Sequence, residues 1–392
     1  MNSNLLIISP TQTHPCNAGN RVRILNFVER LKSLFDLNIY FFYVDLDGTI
    51  TVETQSYWGD HLIVFNSKKD TGSPKSRTFC DRILLRSGFL SNERWDYNYH
   101  IDDCFDEGIL TKCKELYSKL KFDVVLVEYV FMSKSFSAFP QHVKKIIDTH
   151  DCFTNRYKIY PLVDGKRQYQ WFSTYKRDEK KGLNRADIII AIQQEEAKFF
   201  RKIANTEVVT IGHLFDEKTN QISCNFKSKS ILFFASDNLI NIDAYHYFTK
   251  EVWPLLINRL PSCRLVVAGR ICNAIEKFDG IVYLGEVSDK IEAYQNVSIS
   301  VNPMQYGSGL KIKTLESLIM GVPIVSTAHG AIGLENMISK CIFVADTAQS
   351  FSNWIVELLT DMDKYNKAQS ELEKCIHEYN DQNDEKLISL FN

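Results

Sequence analysis

Short runs of β-branched and aromatic residues alternate with longer amphipathic stretches along the whole chain. Stretches such as NRVRILNFVERLKSLF and YHYFTKEVWPLLINRL repeat their apolar positions every three to four residues, as amphipathic helices do. The apolar runs between such stretches predict strands, which are LLIIS, LNIYFFYV, HLIVF, FDVVLVEYV, KKIIDTH, DIIIAI, EVVTI, SILFFAS, CRLVVAG, GIVYLG, VSISVNP, PIVST and CIFVA. Strands that alternate with helices indicate parallel sheets covered by helices.

A polar stretch, FDEKTNQISCNFKSKS, separates the strand runs into two series. A chain of 392 residues is also longer than one ordinary core supports. The sequence therefore predicts an α/β protein with two Rossmann-like domains facing each other across a cleft. We place the first domain at residues 1–214, a linker at 215–229, the second domain at 230–350 and a C-terminal helical region at 351–392. In such sheets ligands bind at the carboxyl ends of the strands.

The composition excludes several classes of protein. A chain with 45% hydrophobic and 24% charged residues is globular, and its formal net charge of −2 argues against a dedicated nucleic-acid binder. We find no uninterrupted apolar run long enough for a membrane span and no basic, signal-like N-terminus. The ten cysteines include no Cys-x-x-Cys pair, so neither a zinc site nor a disulfide framework is predicted. Isolated cysteines fit a cytoplasmic protein.

The stretch GSGLKIKTLESLIMGVPIVST, residues 307–327, carries the most informative chemistry. We predict a loop at MQYGSG and a helix that starts near Lys311, capped by Ser308 and with glycines that let the backbone approach a ligand. On that helix, spacing predicts a core face at Ile312, Leu315 and Ile319. Lys313 and Glu316 fall on another face.

Two cations and a carboxylate at the start of one helix suit a nucleotide. The helix dipole contributes ~0.3–1 kcal/mol towards an anion, whereas an ammonium ~4 Å from a phosphate charge contributes ~4 kcal/mol at an effective dielectric near 20. Lys311 and Lys313 would therefore bind a diphosphate, and Glu316 would accept hydrogen bonds from two ribose hydroxyls. The alternative is a capped surface helix with an ordinary Lys–Glu pair.

Residues 230–335 resemble the C-terminal domain of family 4 glycosyltransferases, which belong to the glycosyl transferases group 1 and have the GT-B fold. Earlier segments resemble the first domain of that fold, namely PTQTHPCNAGNRVRILNFVERL, IIDTHDCFTNRY and RADIIIAIQQEEAKFF. The resemblance is to members that build bacterial surface polysaccharides. It implies transfer of a sugar, with retention of configuration, from a nucleotide-sugar donor to a glycan or lipid-linked acceptor, without metal or other cofactor.

The resemblance assigns roles residue by residue in the second domain. Glu316 matches the second glutamate of the family's Glu-x7-Glu motif, while Ser308 stands where the first glutamate is expected. The arginine and lysine that the family has after the first strand of this domain are replaced here by Ala235, Ser236 and the region around Asn241. We expect Lys311 and Lys313 to supply the missing positive charge. The expected donor-binding residues of this domain are Gly307, Ser308, Gly309 and Glu316.

In the first domain the resemblance points to two places. Gly19 and Asn20 lie between a strand and a helix, where their amides would reach the donor diphosphate, and Arg21 and Arg23 follow. His150, in the string DTHD, matches a histidine that family members direct at sugar hydroxyls, and Asp151 is a weaker candidate. The expected catalytic residues are thus His150, Lys311 and Lys313. The alternatives are a simple turn at Gly19 and a structural role for His150.

The string IYFFYVDLDGTITVET raises a competing interpretation. A strand followed by Asp-x-Asp-Gly-Thr resembles haloacid-dehalogenase-type phosphatases, in which Asp45 would attack phosphorus and Asp47 would act as acid and base with magnesium. A strand and a helix precede it, whereas that family has the motif on its first core strand, so we favour a turn. Asp45 and Asp47 also form the Asp-x-Asp string of GT-A glycosyltransferases, but one central Rossmann unit with that motif would not explain the second domain. A further alternative is a GT-B protein that binds nucleotide sugars without catalysis, because Ser308 replaces a glutamate.

Residues 67–95 combine many basic residues with apolar ones. Two interpretations stay open: a solvated helix packed on its own domain, or a contact with the anionic inner face of the cell membrane, where lipid-linked acceptors occur.

Overall fold

The computed structural model describes residues 3–46, 48–68, 83, 86–87, 97–159, 162–163, 166–167, 172–215, 225–307 and 311–391. The chain divides into two compact units. The first contains Met1–Leu214 together with Lys386–Asn392, and the second contains Phe215–Glu385.

The first unit is built on a parallel seven-stranded sheet. Its strands are β1 (Ser3–Ser9), β2 (Leu37–Asp45), β3 (Leu62–Asn66), β4 (Val124–Glu128), β5 (Lys144–Asp148), β8 (Ile188–Ala191) and β9 (Glu207–Thr210), and β6 (Leu162–Val163) and β7 (Lys166–Arg167) form a separate hairpin. The sheet order is β3-β2-β1-β4-β5-β8-β9. The helices are α1 (Gly19–Leu34), α2 (Val52–Trp58), α3 (Gly108–Leu120), α4 (Lys176–Leu183) and α5 (Gln194–Ile203).

This sheet is buried on both faces, which explains why its strands read as continuous apolar runs. Side chains alternate between the two faces of a strand. Leu5 and Ile7 of β1 accordingly pack in the same cluster as Phe27 of α1, whereas Leu6 and Ile8 pack in the cluster on the opposite face.

The second unit repeats the architecture with a parallel six-stranded sheet in the order β12-β11-β10-β13-β14-β15. Its strands are β10 (Ser230–Phe234), β11 (Arg264–Ala268), β12 (Ile281–Gly285), β13 (Ile299–Asn302), β14 (Ile324–Ser326) and β15 (Ile342–Val344). Its helices are α6 (Leu239–Tyr247), α7 (Trp253–Arg259), α8 (Lys290–Tyr294), α9 (Ile312–Ile319), α10 (Ala348–Thr360) and α11 (Met362–Phe391), and a π-helical turn, Phe248–Val252, joins α6 to α7.

Both sheets reverse their strand order at one point. In each sheet the first strand of the unit lies between the second and the fourth strands. The chain therefore adds strands first on one side of this strand and then on the other. This reversal occurs between β1 and β4 in the first unit and between β10 and β13 in the second. A crevice at the carboxyl ends of such strand pairs is where open α/β sheets bind ligands.

The predicted α/β fold class is confirmed, and each predicted strand run contains an observed strand. The C-terminal region predicted at 351–392 is helical, and the structure shows what its two helices pack against. Helix α10 buries Phe351 and Ile355 in the core of the second unit, while Leu387 and Leu390 of α11 pack in a core cluster of the first unit. Within the described ranges, none of the helices is long and apolar enough to cross a membrane.

Candidate active site

In the second unit, a lysine from α9 reaches the first turn of α6, the helix that follows β10. The Lys313 ammonium donates a hydrogen bond to Oδ1 of Asn241, which is buried. Asn241 in turn donates through Nδ2 to the Ser236 carbonyl oxygen at 2.9 Å and contacts the Ser236 hydroxyl at 3.0 Å. Lys313 thus places a cation beside Ser236 and Asn241, the region where the sequence lacks the arginine and lysine of the family.

The environment of Lys313 disfavours its positive charge. Burial, together with repulsion from Lys311, lowers the pKa of Lys313 from its ordinary value of 10.5 to about 7, although Glu316 partly opposes the change. Lys313 therefore titrates near neutral pH, and an anionic ligand beside it would favour the protonated form.

Lys311 lies directly before α9 and is only 4% exposed. Its ammonium donates to the Gly307 carbonyl oxygen at 3.3 Å, and His329 Nε2 lies 2.8 Å from the same oxygen. Because a carbonyl oxygen only accepts, this contact places a proton on Nε2 of His329. Burial and the nearby Lys311 charge lower the pKa of His329. Gly307 has φ +126°, a conformation that side-chain-bearing residues rarely adopt.

Glu316 lies one helical turn after Lys313, with its side chain 15% exposed. Its Oε1 pairs with the ammonium of Lys290, the first residue of α8. The neighbouring Tyr294 is buried, and desolvation and the charge of Glu316 raise its pKa well above its ordinary value. The carboxylate that the sequence assigns to ribose thus lies in the middle of α9, paired with Lys290 and within electrostatic range of Lys313.

A buried polar network fixes α9 to the sheet. Asn302, the last residue of β13, donates to Thr314 Oγ1 at 2.8 Å and to the Gly330 carbonyl oxygen at 3.3 Å. Thr314 donates to that same carbonyl oxygen at 2.6 Å. Satisfied buried hydrogen bonds of this kind hold a site rigidly.

The first unit carries a buried charged cluster at the ends of β4 and β5. Arg23 of α1 pairs in a bidentate manner with Asp148, with Nε–Oδ2 at 2.7 Å and Nη2–Oδ1 at 2.8 Å. His150 Nε2 contacts Glu128 Oε2 and lies 3.9 Å from Asp148 Oδ2. Desolvation raises the pKa of Glu128, although the adjacent His150 opposes the change. Arg23, predicted only as a residue near the helix start, is in fact a buried structural cation.

His150 itself has a left-handed backbone, with φ +59°. Its ring stacks on Tyr129 with centroids 4.2 Å apart, and the Tyr129 hydroxyl accepts a hydrogen bond from Asn20 Nδ2 at 2.9 Å. A backbone conformation this unfavourable for a non-glycine residue persists where the surrounding structure determines it, often at functional sites. The structure therefore brings His150, Tyr129 and Asn20 together at the reversal between β1 and β4.

Ligand atoms of Glu128, Asp148 and His150 lie within 4.8 Å of one another, a spacing that is compatible with a metal ion. However, both carboxylate oxygens of Asp148 already accept hydrogen bonds from Arg23. The guanidinium supplies the positive charge that these acids require, so the residues present fit a metal poorly.

Two further buried acids lie near this cluster. Desolvation raises the pKa of Glu179 to about 7 and the pKa of Glu196 to about 8, and the charge of Asp151 adds to both shifts. Asp151, the weaker sequence candidate, pairs with Arg156 at 2.6 Å. Its contact with Arg156 gives Asp151 a structural role.

The remaining donor-binding candidates from the sequence are Gly19, Arg21, Ser308 and Gly309. Gly19 is the first residue of α1. Arg21 donates hydrogen bonds to the carbonyl oxygens of His14 and Pro15 at 3.2 and 3.4 Å, so its guanidinium stabilises the loop before α1. Ser308 and Gly309 lie outside the described residues.

Two details predicted for α9 are wrong. Its N-cap position is Lys311 rather than Ser308, and the Lys311 side chain makes no capping hydrogen bond. Its buried face is formed by Thr314, Leu315, Ser317 and Leu318, whereas Ile312 and Ile319 are only half-buried.

Asp45 has the geometry of the turn interpretation. Its Oδ1 accepts hydrogen bonds from the amides of Gly48 at 2.8 Å and Thr49 at 3.2 Å. Asp47 lies outside the described residues, as does most of the basic segment at 67–95.

Sequence reasoning missed several site residues. Glu128 and Asp148 end neighbouring strands, a position that by itself flags candidate ligands. His329 follows β14 in the same way. Lys290 had no such signal, because its partner Glu316 is 26 residues away on another helix.

Comparisons with known proteins agree with this architecture. Residues 228–361 match the family model described as glycosyl transferases group 1. The chain is 23% identical over 380 residues to an uncharacterized 44.6 kDa protein in the cps region of Klebsiella pneumoniae, and the match covers 90% of each chain.

Two solved structures resemble the whole chain. One is a variant of S. aureus TarM in complex with fondaparinux, alpha-GlcNAc-glycerol and UDP, with a TM-score of 0.65, 12% identity and full coverage of both chains. The other is Anabaena HepE in complex with UDP and glucose, with a TM-score of 0.59, 13% identity and coverage of 99% of this chain and 100% of that one. Likeness at this level of identity shows the fold, which is GT-B.

Proposed function

We propose that this chain, which has the GT-B fold and matches the glycosyl transferases group 1 over residues 228–361, is a glycosyltransferase that uses a nucleotide-sugar donor. The observation that carries the proposal is the grouping of Lys311, Lys313 and Glu316 at the reversal between β10 and β13. The family match covers the domain that contains this grouping.

The donor nucleotide would bind through two kinds of contact. The ammonium of Lys313, held by Asn241 beside the β10 loop, would neutralise the diphosphate, and Lys311 would add a second positive charge. The Glu316 carboxylate would accept the ribose hydroxyls. Both solved relatives were crystallised with UDP, which makes a nucleoside diphosphate a suitable first probe.

Chemistry would proceed through charge stabilisation. When the bond between sugar and diphosphate breaks, negative charge grows on the leaving phosphate, and a fixed cation lowers the energy of that state more than the energy of the ground state. We assign this role to Lys311 and Lys313, and we assign His150 to hydroxyl groups of the sugar substrates. We further propose retention of anomeric configuration and no requirement for a metal.

The acceptor is proposed to be a glycan or glycolipid of a surface polysaccharide pathway. The support is the similarity to a protein from a cps region and the basic, apolar segment at residues 67–95, which suits the inner face of a membrane.

A thermal-shift screen of nucleoside diphosphates and their sugars, without added metal, tests the donor site. A ligand at ~100 times its dissociation constant adds ~2.7 kcal/mol to the free energy of unfolding, which raises the melting temperature measurably. We expect one nucleotide to stabilise the wild type and not Glu316→Ala. Glu357→Ala is the matched control, because Glu357 also pairs with a lysine, Lys364, but lies on α10. If no nucleotide stabilises the wild type, the proposed function is wrong.

A further inference from the structure

The ion pair between Glu316 and Lys290 joins two elements that no sequence motif connects. Lys290 is the first residue of α8, and the preceding Asp289 caps that helix by accepting from the Ile291 amide at 2.9 Å. The Lys290 backbone is therefore anchored independently of its side chain. The side chain is 34% exposed, and its ammonium contacts Glu316 Oε1.

This contact leaves most of the hydrogen-bonding capacity of Glu316 available. An ionised carboxylate accepts about four hydrogen bonds through its two oxygens. Among the described residues, the Lys290 ammonium is the hydrogen-bond donor found on the Glu316 side chain, and it takes one of these places. A 15% exposed side chain still has room for a ligand on its outer side.

Lys290 is the cation that contacts the Glu316 carboxylate directly. Glu316 is largely buried and lies near the buried Tyr294. Burial lowers the pKa of the second nearby cation, Lys313, to about 7, so its charge is only partial at neutral pH. The Lys290 ammonium contacts Glu316 Oε1 directly and holds the carboxylate towards α8.

We propose that Lys290 is a positioning residue that orients Glu316 towards a ribose diol and thereby makes the protein selective for ribonucleotides over 2′-deoxyribonucleotides. The inference rests on the proposed function, because it takes Glu316 as the ribose acceptor. In the bound state two ribose hydroxyls donate to the oxygens that Lys290 leaves open, and removal of the 2′-hydroxyl forfeits one charge-assisted hydrogen bond.

Binding measurements on the full chain test this role. The probes are UDP, GDP and ADP, each compared with its 2′-deoxy counterpart by isothermal titration calorimetry. For the nucleotide that the wild type binds, we expect the ribonucleotide to bind about tenfold to a hundredfold more tightly than the deoxy form, the range expected for one hydrogen bond to a charged group. In Lys290→Met, which keeps the side-chain stem but lacks the charge, we expect this ratio to fall to about threefold or less.

Two further variants separate positioning from folding. Lys290→Arg keeps the charge and should restore most of the ribose preference. Lys364→Met removes a similarly exposed lysine, 38% against 34%, from a Lys–Glu pair elsewhere in the same unit and should leave the ratio at its wild-type value. A purely structural role for Lys290 would lower affinity for both nucleotides equally and leave the ratio unchanged.

The outcomes are distinguishable. If the wild type binds no nucleoside diphosphate, the proposed function fails and the inference fails with it. If the wild type prefers the ribonucleotide and Lys290→Met keeps the full preference, the role of Lys290 alone is overturned.

Discussion

Lys313 links burial to ligand affinity within a single side chain. Its ammonium lies against Asn241 in surroundings that lower its pKa to about 7, which is costly for the free protein unless the charge serves a ligand. A diphosphate would offset that cost, because the bound anion stabilises the protonated amine. Affinity for the nucleotide should therefore depend on pH in a way that reports on this one group.

We expect nucleotide binding to weaken as pH rises above 7. The free site loses its proton near pH 7 while the complex keeps it, so binding takes up a proton and the dissociation constant rises by up to about tenfold per pH unit above neutrality. Calorimetric titrations at pH values of about 6, 7.5 and 9 measure this slope. Lys313→Met should bind weakly at the lowest pH and show no slope, whereas Lys364→Met should match the wild type. An unchanged slope in Lys313→Met would show that another group titrates.

The sequence predicted the residues of this site that lie together in one helix and missed those that meet through the fold. Lys311, Lys313 and Glu316 share the start of α9, so their spacing alone placed them together. The Lys313–Asn241 contact spans 72 residues, and its geometry depends on the order of β10 and β13 in the sheet. Sequence patterning does not fix such a pairing.

Strands and helices were predictable in type because the apolar runs and the helical spacing are strong. The buried face of α9 was mispredicted for a physical reason. Thr314 and Ser317 are buried because their hydroxyls donate to the carbonyl oxygens of Gly330 and Val322, at 2.6 and 2.8 Å. Small polar residues with satisfied hydrogen bonds can replace apolar ones against a sheet. The pattern of apolar residues then predicts the wrong buried face for the helix.

The close approach of β10 and β11 at their carboxyl ends depends on Gly269. This glycine follows β11 with φ +94°, and a Cβ added there would lie 2.2 Å from the Ala235 carbonyl oxygen. A backbone atom cannot move aside as a flexible side chain can. A side chain at this position would therefore push apart the segments that follow β10 and β11, the first of which leads to Ser236 and Asn241 of the candidate donor site.

Gly269→Ala should destabilise the second unit by roughly 2–5 kcal/mol, from an unfavourable φ combined with a steric clash. Gly280→Ala is the matched control, since Gly280 has φ +80° with nothing within 4 Å, and it should cost only about 1–2 kcal/mol. Urea unfolding of the full chain measures both. Equal losses for the two variants would contradict the close approach at Gly269.

Considered as a whole, the chain uses one architectural rule twice. Each unit has a group of polar residues where the strand order reverses: His150, Tyr129 and Asn20 beside β1 and β4, and Lys313, Asn241 and Asn302 beside β10 and β13. The two-domain α/β class followed from the alternation of strands and helices. The raised pKa values of the buried acids Glu128 and Glu179 could not be predicted from the sequence. They result from desolvation, which depends on how the chain packs.

The decisive measurement is release of nucleoside diphosphate from a panel of nucleotide sugars by the wild type, without added metal and with lipid-linked glycans extracted from the source cells as acceptors. We expect one nucleotide sugar to be consumed, its sugar to appear on the acceptor with the donor's anomeric configuration, and the rate in Lys313→Met to fall by about a hundredfold. Binding of a nucleotide sugar without any transfer or release would instead show a binding protein without catalysis. Magnesium-dependent release of phosphate from phosphate esters, lost in Asp45→Asn, would contradict the account altogether.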